Sequence, residues 1–385
     1  MWCVAAASLG LGIWIYLIFL HGNFWLADER EDDKETDAGK GGWPSVAVVI
    51  PACDEAAMLP VGLPSILTQD YPGKLSVILV DDQSSDGTAA AARAVASKTG
   101  RELRIVEGKS LPAGWTGKVW AQAQGIAQAN AARPAPDYLL LTDADIHFAP
   151  GTLKRLVARG KSGDYVVISL MAKLHCQSFA ERALIPAFVY FFQTLYPFAW
   201  VNRRDRKVAA AAGGCMLLKQ VALTRAGGIE AIQGALIDDC ALAKLMKQQG
   251  PISLQLSEDV SSIRPYPSFG DIGRMISRSA YAQLNYSLLL LGCTVAGMFL
   301  TFFVPPFLTV FGGFPANWIA GLAWALMTLS FLPILHFYRQ SPFWTLALPM
   351  IAACYVAFTV NSAYQHWRGF GGMWKGRSQA LAKNR

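Results

Sequence analysis

Two aspartates one residue apart, Asp143 and Asp145, close the run Tyr138-Leu139-Leu140-Leu141-Thr142-Asp143-Ala144-Asp145. The first four residues read as a buried strand. Extended chain alternates its side chains with period two, so an Asp-x-Asp pair points both carboxylates the same way. At the carboxyl end of a strand in an α/β sheet, that direction is the usual ligand crevice. Two hard oxygen ligands suit Mg²⁺ or Mn²⁺, completed by phosphate oxygens and water, so the pair reads as a metal–diphosphate site. Asp after a strand is also ordinary turn chemistry, and the pair alone leaves both readings open.

Three further acidic pairs fall at comparable places. Asp54-Glu55 follows the β-branched run Val46-Ala47-Val48-Val49-Ile50, which ends at Pro51. Asp81-Asp82 follows the apolar run Leu75 to Val80, and Asp238-Asp239 opens a helix expected to reach about Lys247. Carboxylates gathered at neighbouring strand ends repel one another unless a cation or a hydrogen-bonding ligand lies between them. The set therefore points to one shared site rather than to separate solvated turns. His147, just past Asp145, and His175 are open to a ligand role, but without a second placed histidine a structural or surface role fits them better.

The elements that must carry these groups follow in order. Helices are expected at 55–69, 88–98 and 118–130, with a strand at Leu103 to Val106 between the last two. Gln83-Ser84-Ser85-Asp86-Gly87 is a turn that supplies a cap for the alanine-rich second helix. Strands alternating with helices indicate parallel βαβ units, hence an α/β domain. Gly-x-Gly-x-x-Gly is absent, which disfavours a dinucleotide fold, and Gly117-Lys118 lacks the rest of a P-loop. Beyond residue 160 the pattern is mixed, with a strand at Tyr165 to Leu170 and a glycine-interrupted one at Ala209 to Leu218. Between them Phe188, Tyr190, Phe191, Phe192, Tyr196, Phe198 and Trp200 are bracketed by Pro186 and Pro197. This aromatic stretch is expected to be an interfacial helix on a membrane surface, with an aromatic core helix as the alternative.

Composition supports a membrane setting. The 385-residue chain is 53% hydrophobic, and its apolar residues are unevenly spread. Trp2 to Leu20 is an uncharged run long enough to span a bilayer; it lacks the basic start and small-x-small cleavage site of a signal peptide and reads as a retained anchor. Further spans are expected at roughly 286–311, 317–336 and 342–360, the first kinked or split at Pro305-Pro306, with one of them open to being re-entrant. The net charge is +7, yet residues 28–37 hold seven acids against two bases, so the rest of the chain carries +12. A basic remainder suits anionic headgroups or a phosphorylated substrate, and the absence of a dense basic and aromatic patch disfavours nucleic acid. Seven scattered cysteines with no C-x-x-C pair argue against a disulfide framework or a zinc site and suggest a reducing compartment.

Val49-Ile50-Pro51-Ala52-Cys53-Asp54-Glu55, Val80-Asp81-Asp82-Gln83-Ser84-Ser85-Asp86-Gly87-Thr88 and Thr142-Asp143-Ala144-Asp145 resemble the ordered motifs of family 2 glycosyltransferases with the GT-A fold. Gly114-Trp115-Thr116-Gly117-Lys118 and Gly213-Gly214-Cys215-Met216 fit the same pattern. With an anchor before and spans after, the chain is most similar to the hopanoid-biosynthesis-associated glycosyltransferases (HpnB type), and more distantly to ceramide glucosyltransferases. The resemblance implies that Asp81 and Asp82 hold the base and ribose of a nucleotide sugar, with Pro51, Asp54 and Glu55 in the same pocket. It implies that Asp143 and Asp145 bind the divalent metal, Mg²⁺ or Mn²⁺, on the donor diphosphate. Gly213 and Gly214 belong to the donor pocket, as does Lys118, whose alternative is a solvated lysine at a helix start. Asp239 takes the place of the general base, with Asp238 where a glutamate is more usual. A carboxylate there would take the proton of the attacking hydroxyl, and a single displacement would invert the anomeric centre.

One departure matters. Membrane-bound relatives often carry Gln/Arg-x-x-Arg-Trp after the base; here Arg274-Met275-Ile276-Ser277-Arg278-Ser279 has arginines but no tryptophan. That disfavours processive polymer synthesis and favours a single transfer to a lipid. Arg274 and Arg278 are candidates for the donor diphosphate or plain juxtamembrane arginines. The expected organisation is an anchor at 1–21, a solvated acidic and glycine-rich linker at 22–42, a GT-A domain at 43–265, a juxtamembrane segment at 266–285, transmembrane helices at 286–361 and a basic tail at 362–385. The expected activity is transfer of a sugar from a UDP-linked donor to a lipid hydroxyl, with a hopanoid as the finer acceptor reading. The expected location is the inner membrane, the domain facing the cytoplasm. A polyprenyl-phosphate glycosyltransferase and a lipid-binding scaffold with a degenerate domain are the alternatives.

Overall fold

The computed structural model describes residues 1–31, 42–374 and 377–378. Eight strands form the central sheet: β1 (Val46–Ala52), β2 (Leu75–Asp81), β3 (Arg104–Glu107), β4 (Tyr138–Leu141), β5 (Ile146–Phe148), β6 (Val167–Lys173), β7 (Met216–Lys219) and β8 (Ile252–Ser262). Their order across the sheet is β3-β2-β1-β4-β7-β6-β8-β5. The first four strands are parallel, as the βαβ alternation predicts, but β7 runs antiparallel to β4 and β6, and β5 antiparallel to β8. The sheet is therefore mixed, a GT-A-like α/β arrangement rather than a wholly parallel one.

Strand β1 shows why the sheet sits where it does. All seven of its residues are buried. Val46, Val48 and Ile50 enter the core on one face, while Ala47 and Val49 enter the core on the other, as a strand covered on both sides requires. Pro51 causes no break, because pairing with β4 ends at Val49 opposite Leu141. The helix Gly117–Asn130 approaches this strand so closely that a Cβ on Gly125 would lie 2.4 Å from Val49 Cγ1.

Four helices among the described residues are long and apolar enough to cross a membrane: Trp2–Phe19, Leu288–Phe311, Ala316–Phe337 and Pro342–Trp367. The second is continuous. It passes through a π-helical turn at Phe299–Phe303 into the segment Val304–Phe311, which carries Pro305 and Pro306 in its first turn. The spans are not a separate body, for Trp14, Phe331 and Tyr355 belong to the same buried cluster as Ala47 and Val49 of β1.

Four expectations are corrected. The aromatic stretch lies in the helix Phe179–Leu195 and the turn after it, and this helix is a core element. Tyr190 is 1% exposed, its hydroxyl lies 2.7 Å from Ser330 Oγ, and Tyr355 donates to the Leu184 carbonyl at 2.8 Å, so candidate spans cover this face of the helix. The strand at Ala209 to Leu218 shrinks to β7, because Gly213-Gly214 form a turn before it. The described part of the acidic linker is docked rather than solvated. Arg30 bridges to Leu256 of β8, Glu29 accepts from Asn202 and Glu31 from Arg155 and Ser257; the rest of that stretch, 32–41, lies outside the described residues. Finally, β8, β5 and the helix Thr152–Ser162 have no counterpart in the sequence reading.

Candidate active site

Strands β1, β2 and β4 are parallel, so Asp54-Glu55, Asp81-Asp82 and Asp143/Asp145 leave the same edge of the sheet. Because β7 is antiparallel to β4, with Met216 opposite Leu141, the turn Gly213-Gly214 arrives at that edge too. Thr142 fixes the junction by donating to the Gly214 carbonyl at 2.7 Å.

Lys118 is the centre of one charge cluster. It is the second residue of the helix Gly117–Asn130, a place where the helix dipole disfavours a cation. Two carboxylates offset this: Nζ lies 2.8 Å from Asp143 Oδ1 and 3.5 Å from Asp238 Oδ2. Asp238 and Asp239 open the helix Asp238–Met246, where acids suit the dipole. Asp239 Oδ2 accepts from the Gly213 N–H at 3.0 Å and Oδ1 from the Cys240 N–H at 2.7 Å. A Cβ at Gly213 would crowd this approach, lying 3.1 Å from Lys118 Nζ and 3.4 Å from Asp239 Oδ2. Burial and the neighbouring Asp238 charge push the Asp239 carboxyl up to about 6. Burial likewise raises the Asp143 carboxyl, against the pull of Lys118.

Arg264 is the centre of a second cluster and was not singled out by its sequence context. Its Nε donates to Asp145 Oδ2 at 2.6 Å, and Nη2 donates to both carboxylate oxygens of Glu55 at 2.6 Å. The only available signal was a base just past the end of β8, an element itself missed. The loop that carries it is held by Glu181, which is fully buried and accepts from the N–H groups of Gln177, Ser178 and Tyr266 and pairs with His175 Nδ1. His175 thus has a structural part, and His147 sits in β5 opposite Ser261. The two aspartates of the Asp-x-Asp pair follow β4, and each is paired with a different cation of the chain. Two side chains of the chain itself thus offset charge on members of three of the four acidic pairs, Glu55, Asp143, Asp145 and Asp238.

The remaining donor-site candidates form the rim around β1 and β2. Asp54 adopts a left-handed backbone, φ 49°, and its Oδ1 accepts from the Ser85 N–H at 2.8 Å, while Asp81 Oδ1 accepts from the Ser84 N–H at 3.1 Å. Asp82 is 1% exposed, and its N–H donates to the Ala52 carbonyl. Arg274 lies apart from this group: its side chain is 74% exposed and pairs with Asp271 one turn earlier in the helix Phe269–Ser277, so its proposed contact with the diphosphate is not supported by its position. Arg278, by contrast, borders the cavity described next.

A cavity of about 560 Å³ opens beside these clusters. Lys118, Asp143, Gly213, Asp238 and Asp239 line one part, and Ile13, Thr294, Met298, Val356 and Thr359 line another. Its size falls in the roughly 300–1,000 Å³ range of small-molecule sites. Among the described residues no three His, Cys, Asp or Glu side chains converge to hold a metal by themselves. Asp143 and Asp145 nonetheless fit Mg²⁺ or Mn²⁺, because such ions take one or two carboxylates and complete their shell with substrate phosphates and water.

A mixed sheet of this order, with carboxylates and two cations at the ends of its parallel strands, defines a GT-A-type sugar-nucleotide transferase fold. Residues 47–226, just under half of the chain, match the family model "Glycosyl transferase family 2". An N-acetylglucosaminyltransferase of Mesorhizobium japonicum is 34% identical over 143 residues, covering 37% of this chain and 31% of that protein, so the chain spans about a third of that relative's length. Among solved structures, the mannosyltransferase PcManGT from Pyrobaculum calidifontis, in complex with GDP-Man and Mn²⁺, is similar in fold at 19% identity, with a TM-score of 0.54 over 94% of this chain and 98% of that one. The glucosyl-3-phosphoglycerate synthase from Mycobacterium tuberculosis, in complex with Mn²⁺ and UDP-glucose, matches 64% of this chain and 80% of its own at 18% identity and a TM-score of 0.40.

Proposed function

We propose that this protein transfers a sugar from a nucleotide-sugar donor, UDP-linked, to the hydroxyl of a lipid in the membrane. The observation that carries the reading is the single cavity bordered by Asp239, Lys118 and Asp143 and also by Ile13, Met298 and Val356 of three candidate spans. A soluble acceptor needs no such wall, whereas a lipid must keep its apolar body out of water while its hydroxyl reaches the carboxylate.

Asp54, Glu55, Asp81 and Asp82 hold the base and ribose. Lys118 and Arg264 face the diphosphate, with Asp143 and Asp145 as ligands of a Mg²⁺ or Mn²⁺ ion. A bound ion would offset the charge gathering on the departing diphosphate. Asp239 accepts the proton of the lipid hydroxyl as its oxygen bonds to the anomeric carbon and the bond to the diphosphate breaks. A single displacement of this kind inverts the anomeric centre. The free thiols of Cys215 and Cys240 support a reducing, cytoplasmic side for the domain, which suits an enzyme of the inner membrane. A hopanoid is the acceptor to try first, a choice supported by sequence resemblance alone.

The test is label transfer from radiolabelled UDP-sugars into membrane lipid, with Mn²⁺ or Mg²⁺ supplied, comparing wild type with Asp145→Asn and Asp239→Asn. Label in lipid with wild type alone is expected. Transfer undiminished in Asp239→Asn would instead fit a polyprenyl-phosphate acceptor, which is already ionised and needs no base. Neither transfer nor nucleotide-sugar binding would leave only a lipid-binding scaffold.

A further inference from the structure

The cavity is lined by charged side chains and by apolar ones from the spans, and two neutral polar side chains also line it. Tyr196 follows the helix Phe179–Leu195, and Gln283 ends the short helix Ala280–Gln283; both line the cavity. Gln283 Nε2 donates to Tyr196 Oη at 2.6 Å. The phenol also interacts electrostatically with Asp239 and with Cys240, the residue directly after it. Burial keeps the phenol protonated, pushing it up to about 12, so it remains a donor at any working pH. The phenol is the acceptor in its bond with Gln283, which leaves its O–H able to donate to a ligand oxygen, and the Gln283 amide retains a carbonyl and a second N–H beyond the bond it makes.

We propose that Tyr196 and Gln283 form a subsite for the polar head of the acceptor, next to the hydroxyl that Asp239 deprotonates. This rests on the lipid-acceptor reading above and narrows it. The acceptor head carries a second hydrogen-bonding oxygen beside the reacting hydroxyl, as in a vicinal diol, and is not a simple long-chain alcohol. A half-buried polar pair that lost its water to an alcohol lacking this oxygen would go unsatisfied, which is how such a site rejects the wrong substrate.

The experiment uses the full chain in lipid nanodiscs with Mn²⁺ and, in turn, UDP-glucose, UDP-N-acetylglucosamine and GDP-mannose. The acceptors are dodecanol and dodecylglycerol, which differ by the neighbouring hydroxyl and its linkage. Wild type is expected to prefer dodecylglycerol in kcat/KM, and Tyr196→Phe and Gln283→Leu each to lower that preference about tenfold. Calorimetry of UDP with Mn²⁺ reports whether the donor pocket of each variant is intact. Equal use of both acceptors by wild type overturns the subsite while leaving a lipid acceptor standing. So does a variant that slows both acceptors equally, or one that loses UDP binding, since either shows a pair that only holds the fold. Transfer to neither acceptor from any donor overturns the subsite and the lipid reading together.

Discussion

Arg264 Nε lies 2.6 Å from Asp145 Oδ2, and the same guanidinium grips both oxygens of Glu55. A single side chain from the end of β8 thus ties the turns after β4 and β1 together. All three groups are largely withdrawn from solvent, at 27%, 14% and 9% side-chain exposure. Arg264→Ala would remove the cation shared by these two carboxylates, a loss of about 3–5 kcal/mol for a buried pair and less here in proportion to the exposure. The expected outcome is a lower thermal midpoint and loss of nucleotide-sugar binding. Arg264→Lys should recover part of the stability but not the bidentate grip. An unchanged midpoint in Arg264→Ala would show that the bridge is offset by desolvation.

The Asp239 carboxyl predicts opposite pH trends for stability and rate. Its ordinary value in an unfolded chain is about 4, and in the fold it rises to about 6. Between those values the folded protein holds a proton that the unfolded chain has released, so this group's contribution to stability declines as pH rises across the window. The base is competent only when ionised. A kcat/KM profile should therefore climb through about pH 6 and level off above it, and Asp239→Asn should remove the inflection and slow transfer about 10²–10⁴-fold. An inflection that survives in Asp239→Asn would assign it to another group.

Trp14 is fully buried, and its indole N–H donates to the Thr301 carbonyl at 2.9 Å. Thr301 stands four residues before Pro305, and a proline leaves the carbonyl four residues earlier without its helical donor. The first span thus satisfies a group orphaned in the second. Trp14→Phe should cost about 1–3 kcal/mol, read as a fall in the thermal midpoint in detergent, with Mn²⁺-dependent UDP binding retained.

Gly297 lines the cavity, and a Cβ placed there meets no atom within 4 Å. Gly297→Trp should fold, fill the space between the spans and reduce transfer to a lipid acceptor by about tenfold or more, without weakening UDP binding. If lipid transfer proceeds at the wild-type rate, the acceptor does not lie along this wall.

Local rules determined a large share of this protein. The β-branched runs, the turn residues after them and the long apolar stretches place β1, β2, β4, their helices and the four candidate spans, because each depends on neighbours close in sequence. The acidic pairs at the strand ends were legible for the same reason, and so was Lys118 at a helix start. What the chain does with those charges was not. Whether Asp143 and Asp145 act together depends on which cations arrive, and Arg264 reaches Asp145 across 119 residues of chain. Strand β8 escaped notice because Gln255, Glu258 and Asp259 interrupt its apolar pattern, and those side chains face partners supplied by Arg30, Lys173 and Arg155. The aromatic helix suited a membrane surface equally well by composition; only the packing of Ser330 and Tyr355 against it made it core. Periodicity records which faces are apolar, and tertiary structure alone decides what covers them.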